Sequence, residues 1–327
     1  RGLGDVYKRQ IGMLRCLVIR FALILLTLVV VSLAIFGVTE VLPGDVAEAV
    51  LGKSRTPGAL ETLREQMGLD QPPWKRYLNW VGGVFQGDLG TSLVQDRPVT
   101  EILKSRLQNS LVLAIAAFCI AVPSAILVGV WAGVRRGSAG DHTVSVLSLV
   151  AISLPEFVTG FILIVILSST LGWLPSSSIV LPGTSPLARP EILIMPVLTM
   201  TAVLFGYIMR MTRANIIEAL ETNYVRTAIL KGLPRWQVIW RHAVPNAMLP
   251  TISVVSINIG WMFGGLIIVE SVFGYPGLGL TLINAINRRD LPVLQAVALL
   301  VAGTYAVSNL VADLMYVWLN PRIRISS

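Results

Sequence analysis

Charged residues are scarce in this sequence. They make up 13% of its 327 residues, and the chain has only two cysteines and two histidines. Soluble domains carry about twice that share of charge, and any folded chain must expose part of its surface to water. The scarcity of charge therefore argues against a soluble enzyme and against a disordered chain. Two cysteines, both in apolar runs, exclude a disulfide scaffold.

Residue sets suited to catalysis or to metal binding are also lacking. His142 and His242 are the only histidines, and no metal-ligand spacing surrounds them. No serine or cysteine has a nearby His/Asp set for nucleophilic catalysis. The Gly-Lys-Ser run at 52–54 matches the end of a phosphate-binding loop, but Ala47 stands where that motif needs its first glycine. We therefore predict a non-catalytic chain without its own cofactor or metal.

Apolar residues are abundant instead. They form 54% of the chain, and its mean hydropathy is +0.73. A helix needs about 20 apolar residues to cross a bilayer, and a lone strand would leave backbone groups unpaired in lipid. We predict an all-α polytopic membrane protein with six transmembrane helices. The six apolar runs are Phe21–Val38, Leu107–Val134, Thr143–Leu174 (interrupted by Glu156), Ile192–Met209, Ala243–Val269 and Leu291–Ala312.

Lysine and arginine predict the orientation, because short cytoplasmic loops carry an excess of both. The connection between the fourth and fifth runs has six of them, whereas the connection between the third and fourth has only Arg189. Both termini are then cytoplasmic, and residues 40–106 form a large external loop.

The net charge of +8 is explained by basic residues that anchor the cytoplasmic side of the membrane protein, so we predict no nucleic-acid partner. Trp74, Tyr77 and Trp80 of the loop suit an interfacial aromatic belt.

The first twelve residues differ from the rest of the sequence. Residues 1–12 fit no pattern and are interpreted as a non-native or disordered leader. A single transmembrane domain is predicted over 13–324.

In the external loop, a turn is expected at Leu42–Asp45 and a short amphipathic helix at Pro57–Met67.

The connection over 211–245 is predicted to be structured. Asn223 is expected to cap a helix over Tyr224–Lys231, and Gly232 to end it. A second helix over Pro234–His242 is expected next, since proline suits the first helical turn. Two short helices joined at a Gly-Leu-Pro corner would make a compact knob, the name used below for residues 223–243.

Two interpretations of the knob stay open from its residues alone. Its arginines and tryptophans suit an amphipathic helix pair lying on lipid headgroups. Alternatively, its small residues Thr227, Ala228 and Gly232 allow close approach to a cleft in a cytoplasmic partner.

The knob resembles the cytoplasmic EAA loop of binding-protein-dependent ABC transporter permeases. That pattern is Glu-Ala-Ala, three residues, Gly, nine residues, then Ile-x-Leu-Pro. Here Arg226, Thr227 and His242 replace the Glu, the first Ala and the Ile, and Tyr224–Gly232 is similar to the peptide-permease branch. The resemblance implies that the matching residues couple the chain to an ATPase. These are Tyr224, Arg226, Thr227, Ala228, Lys231, Gly232, His242 and Pro245.

Further motifs in the correct order extend the resemblance over roughly Met13–Arg324. They are Leu42–Asp45, Glu270–Gly279, Arg289–Gln295 and Asp313–Arg324, and all are similar to the dipeptide/oligopeptide/nickel importer family.

The resemblance implies the permease subunit of an ATP-driven importer in a bacterial or archaeal plasma (inner) membrane. The expected cargo is a short peptide delivered by an extracytoplasmic solute-binding protein, with nickel or another small solute as the alternative. A homologous second permease and two ABC ATPases that bind the ATP are the other expected partners, with membrane lipid around the spans. An ion-coupled secondary transporter is the rival, and it would need several intramembrane carboxylates.

Two carboxylates are candidate pathway or gate residues. Glu156 follows Pro155 inside the third run, where a charge should face the bundle interior or water. It either meets a substrate amine or stays protonated or hydrogen-bonded where the proline frees a carbonyl. Glu270, near the outer end of the fifth run, either contacts a gate or the binding protein, or anchors the helix end at the interface.

Two glycine pairs have the small-x-x-x-small spacing that allows close helix packing. Packing inside the subunit is favoured over a dimer seam. The pairs are Gly129/Gly133 and Gly260/Gly264.

Overall fold

The computed structural model describes residues 3–41, 58, 61, 64, 70–180 and 184–319. The predicted turn at 42–45, the run at 52–54, most of the predicted helix at 57–67 and the last residues of the C-terminal motif lie outside these ranges. Within them the regular structure is helical, and Thr91 and Pro98 form an isolated β-bridge that does not belong to a strand. The prediction of an all-α protein is confirmed.

The helices are numbered here in chain order. Five helical segments of the described chain are long and apolar enough to span a membrane, and a bent pair, α4 with α5, makes up to six. The bounds are α1 Leu3–Val41, α2 Pro73–Gln86, α3 Val99–Val134, α4 Ala139–Ser153, α5 Glu156–Leu163 with a π-helical turn Ile164–Thr170, a 3-10 turn Pro186–Ala188, α6 Glu191–Leu220, α7 Asn223–Leu230, α8 Arg235–Gln237 with a π-helical turn Val238–Ala243, α9 Val244–Phe273, α10 Leu278–Arg288 and α11 Leu291–Leu319.

The third apolar run is broken. Leu154 has extended backbone with φ −85° and ψ 130°, the conformation that a residue before proline favours. Pro155 has no N–H to continue the helix. The axes of α4 and α5 consequently differ by 110°. The prediction of one helix over 143–174 is therefore wrong.

The chain divides into two compact units, of which the first comprises Arg1–Ser110 and Pro276–Ala306. Its α1 and α2 meet through a ring cluster of Phe36, Tyr77 and Trp80 and through a 2.9 Å hydrogen bond between the Ser32 and Tyr77 hydroxyls. The loop before α3 is fixed by Asp290, whose carboxylate accepts hydrogen bonds from the Ser92 hydroxyl and the Leu93 N–H.

The second unit comprises Leu111–Tyr275 and Val307–Ser327, and close packing on α6 organises it. A Cβ added at Gly129 would lie 2.7 Å from the Thr212 Cβ, and one at Gly133 would lie 2.8 Å from the Ile216 Cβ. These glycines therefore let α3 approach α6, which confirms the prediction of packing inside the subunit. At Gly264 an added Cβ would meet no described atom within 4 Å, so the prediction is wrong for that glycine.

Candidate functional site

The first half of the knob is a short helix closed by a glycine. Thr222, not Asn223, is the N-cap residue of α7, and its hydroxyl donates to the Ala219 carbonyl instead of capping the helix. The predicted cap at Asn223 is therefore wrong. Gly232 has φ +77°, a conformation that favours glycine because it has no Cβ. The N–H of Gly232 donates to Ile229 O at 2.9 Å, and the predicted helix end there is confirmed.

The second half of the knob is continuous with the fifth span. Helical backbone runs without interruption over Arg235–Phe273, so the prediction of a separate helix over 234–242 is wrong. Pro245 has no N–H, and in a regular α-helix its ring would clash with a carbonyl one turn earlier. The π-helical turn before it widens the helix at this point. The Asn246 side-chain amide then donates to the His242 carbonyl at 2.8 Å.

A small apolar cluster holds the knob against the neighbouring helices. Val225 and Ala228 of α7 are buried in it, together with side chains of α3, α6, α8 and α9. The buried members are Val130, Ile216, Ala219, Val225, Ala228, Val238, Ala243 and Ala247. Ala228 was predicted to line the docking surface, but it faces this cluster and is 5% exposed.

The other predicted coupling residues lie at or near the surface. His242 is partly buried and the rest are exposed: Tyr224, Arg226, Thr227, Lys231, Gly232 and Pro245. The knob also exposes large apolar side chains that sequence reasoning did not assign to docking. Leu230 is 80% and Trp236 63% exposed. Residue spacing could have identified the exposed face of α7, because Val225 and Ala228 are three residues apart and define its buried face.

A buried ion pair lies beside the knob. Arg213 of α6 donates through Nη2 to Asp141 Oδ2 at 2.7 Å, and its Nε contacts the other carboxylate oxygen. The Asp141 side chain is fully buried and also accepts from the Gly137 N–H at 2.9 Å. Sequence reasoning treated Arg213 only as a cytoplasmic anchor. The pair instead fastens the start of α4 to the end of α6 that carries the knob.

Glu156 lies at the break in the third run, in the first turn of α5. Its side chain is half-buried, and a Cβ added at Gly265 of α9 would lie 2.7 Å from its carboxyl carbon. Within the described residues its carboxylate has no hydrogen bond and no ion pair. One turn further along α5, the Thr159 hydroxyl is buried and also lacks a partner among the described residues.

Glu270 lies in a different environment from Glu156. Its side chain is fully buried at the end of α9, and its backbone carbonyl accepts from the Tyr275 N–H at 2.8 Å. Burial, and then the negative charge of Glu270, raise the pKa of the Tyr275 hydroxyl above its usual range. Within this chain the Glu270 carboxylate therefore lies in the protein interior, not on a surface where an anchoring or binding-protein contact is made.

The chain is similar to known membrane transport proteins over nearly its whole length. Residues 125–325 match the family described as "Binding-protein-dependent transport system inner membrane component", and residues 13–114 match the N-terminal family of the same membrane component. The chain is 35% identical over 322 residues to the glutathione transport system permease protein GsiC of Escherichia coli O6:H1, covering 98% of this chain and 99% of the relative. It is 36% identical over 336 residues to the dipeptide transport system permease protein DppB of Escherichia coli K12, covering 95% and 99%.

The two family matches together cover most of the chain, and the match over residues 125–325 includes the knob. The apolar helices fit a multi-pass location in the inner membrane. The chain belongs to the family of inner membrane components of binding-protein-dependent transport systems, and it is the permease of such a system.

Proposed function

We propose that this chain carries short peptides across the membrane in an ATP-driven importer. The names of its relatives support the cargo, because one is named for glutathione transport and the other for dipeptide transport. An extracytoplasmic binding protein delivers the peptide, and a homologous second permease completes the path. Two ABC ATPases bind and hydrolyse ATP on the cytoplasmic side, where the knob and both termini lie.

The construction of the knob is the observation that carries this proposal. Its two arms share one apolar cluster with Ile216 of α6 and Ala247 of α9, and its second arm continues into α9 as one helical segment. A force applied to the knob thus reaches two long helices without passing through a loose loop. Such a rigid attachment is what an ATPase needs in order to move the spans.

The exposed residues of the knob supply the contact with the ATPase. Arg226, Thr227 and Lys231 are polar and exposed, and the apolar side chains of Leu230 and Trp236 lie among them. Apolar side chains exposed in this way mark protein or membrane contacts. In this proposal a cleft of the ATPase covers them. Gly232 sets the direction of the corner, and Pro245 and the carbonyl of His242 set the π-helical turn behind it.

Transport follows as a shift between two conformations. ATP binding draws the ATPases together and favours one position of the knob, because the contacts differ between the two states. The helices α6 and α9 move with the knob. The pair Asp141–Arg213 makes α4 follow α6, so the motion reaches the broken third span and the path opens to the other side.

The proposal is tested by reconstituting the complete transporter in liposomes. Peptide-loaded binding protein is expected to stimulate ATP hydrolysis and the uptake of a labelled dipeptide. If nickel-loaded but not peptide-loaded binding protein stimulates both, the peptide assignment is wrong.

Docking is tested by Leu230→Glu, a charge placed on a side chain that is 80% exposed. We expect the ATPases to stop co-purifying with the permease. Leu187→Glu, on a residue 63% exposed in the 3-10 turn, is the matched control and should retain them. Normal co-purification with Leu230→Glu would leave the knob as a lipid-headgroup element.

A further inference from the structure

The break at Leu154–Pro155 brings two helix ends together inside a membrane-spanning run. The last carbonyls of α4 and the first N–H groups of α5 have no partner along their own helices. In the hydrocarbon region such backbone occurs only where protein buries it or where it lines a water-filled cavity. The backbone of the break itself is therefore expected where protein or water surrounds it.

The carboxylate beside the break points to the same environment. Glu156 is half-buried in this chain and has no partner among the described residues. Its free part does not face lipid, because intramembrane carboxylates face the bundle interior or a water-filled cavity. In the proposed transporter, the water-filled space beside it is the path that this chain forms with a second permease.

The surroundings of Glu156 favour a positive ligand. Gly265 leaves the space that the carboxyl group occupies, since an added Cβ would lie 2.7 Å from its carboxyl carbon. The carboxyl end of α4 carries the negative end of a helix dipole. The hydroxyl of Thr159, one turn along α5, is buried and lacks a partner in the described part of the chain.

We propose that this break is a cation site that holds the amino-terminal ammonium group of the peptide during its passage. The inference rests on the proposed peptide transport. An ammonium group has three N–H donors, and Glu156, the terminal carbonyls of α4 and the Thr159 hydroxyl offer acceptors for them. The amino terminus of a peptide has a pKa of about 7.7–8.0, so it is mostly charged at neutral pH. A charge-assisted hydrogen bond to Glu156 is the main interaction.

The first test measures ligand protection in the purified complex in lipid nanodiscs. Dicyclohexylcarbodiimide attaches to carboxyl groups inside membranes, and mass spectrometry reports its attachment at Glu156. We expect alanyl-alanine and ethylamine to slow the labelling at least fivefold, whereas N-acetyl-alanyl-alanine leaves its rate unchanged. Equal protection by the free and acetylated peptides, or protection by none of the three compounds, would overturn the proposal.

The second test measures uptake by variants of the reconstituted transporter. Glu156→Gln is expected to lower the maximal uptake of alanyl-alanine about tenfold with normal ATPase co-purification, and Glu156→Asp to restore most of it. Glu101→Gln, on an exposed carboxylate paired with Arg97, is the matched control and should transport normally. Full uptake by Glu156→Gln, or equal losses in Glu156→Gln and Glu156→Asp, would contradict a role for the charge.

The two proposals fail in different ways. If the wild-type transporter imports no peptide while ethylamine still protects Glu156, peptide transport is wrong and the cation site stands. If peptide is imported but neither amine protects Glu156, the site is wrong and the proposed function stands.

Discussion

The chain changes direction at two prolines, Pro155 and Pro234, and the two bends differ in what surrounds them. At the Gly232-Leu233-Pro234 corner, the N–H groups of Gly232 and Leu233 donate to carbonyls of α7, and a buried apolar cluster fills the angle. At the Leu154–Pro155 break, the first turn of α5 carries a carboxylate, Glu156, and a hydroxyl, Thr159, without partners in the described chain. A filled corner suits the proposed transmission of force, whereas a break with unpartnered polar groups suits the proposed binding of a ligand.

The two bends are linked through α6. The knob is attached at the end of α6, and Arg213 near that end holds Asp141 at the start of α4. The far end of α4 is the break itself. The comparison therefore predicts that variants of the link disturb both bends, and that variants of one bend leave the other intact.

Asp141→Ala is expected to have the largest effect. Removing the buried carboxylate leaves the Arg213 guanidinium, which is 27% exposed, without its partner. Breaking a buried ion pair costs about 3–5 kcal/mol, and the partial exposure of Arg213 puts the expected loss at the lower end of that range. Unfolding of the isolated permease in mixed micelles, followed by tryptophan fluorescence, measures the loss. The pair Arg136–Glu221 is the control, since both of its side chains are more than 60% exposed. Exposed pairs contribute about 0–1 kcal/mol, so Arg136→Ala should unfold almost like the wild type. Equal losses in the two variants would show that Asp141 does not link the bends.

Gly265→Ala tests the open break alone. The new methyl group would lie in the space of the Glu156 carboxyl group, and we expect peptide uptake to fall about tenfold, which corresponds to about 1.4 kcal/mol. ATPase co-purification should stay normal, because the corner is untouched. Gly264→Ala is the matched control: its methyl group meets no described atom within 4 Å. A similar loss of uptake in both variants would mean that helix packing, not the carboxylate, is responsible.

The sequence predicted the corner better than the break. Gly232 and Pro234, two residues apart, form a local pattern that allows few backbone conformations. The helix end predicted at Gly232 agrees with the structure. Pro155 was visible too, but proline also lies inside α3, α6 and α9 without ending them. Whether a proline breaks a helix depends on which groups from other helices surround it. The partner of Asp141 lies 72 residues away and the neighbour of Glu156 more than a hundred, so neither contact could be read from spacing.

Gly232→Ala tests the filled corner. A residue with a Cβ in the left-handed conformation costs about 1–2 kcal/mol, and Gly232 has φ +77°. We expect the corner to loosen, so that loaded binding protein stimulates ATP hydrolysis several-fold less, while carbodiimide labelling of Glu156 stays unchanged. Gly172→Ala is the matched control, since Gly172 has φ +65° and open space around it but lies after α5. If both variants lose stimulation equally, general strain rather than the corner is the cause.

Asn246→Ala is expected to have the smallest effect, and it tests the backbone that follows the corner. The Asn246 amide donates to the His242 carbonyl, four residues earlier, at 2.8 Å, and so adds a donor to a carbonyl at the end of the π-helical turn. A hydrogen bond of this kind contributes about 0.5–1.5 kcal/mol, and the exposure of Asn246 puts the expected loss of unfolding free energy at the lower end of that range. Thr143→Ala is the control, because the Thr143 hydroxyl makes an exposed 2.9 Å bond to the carbonyl four residues earlier in the regular α-helix α4, away from the corner. If Thr143→Ala costs as much as Asn246→Ala, the amide has no special role at the π-helical turn, and the corner is held by its apolar cluster alone.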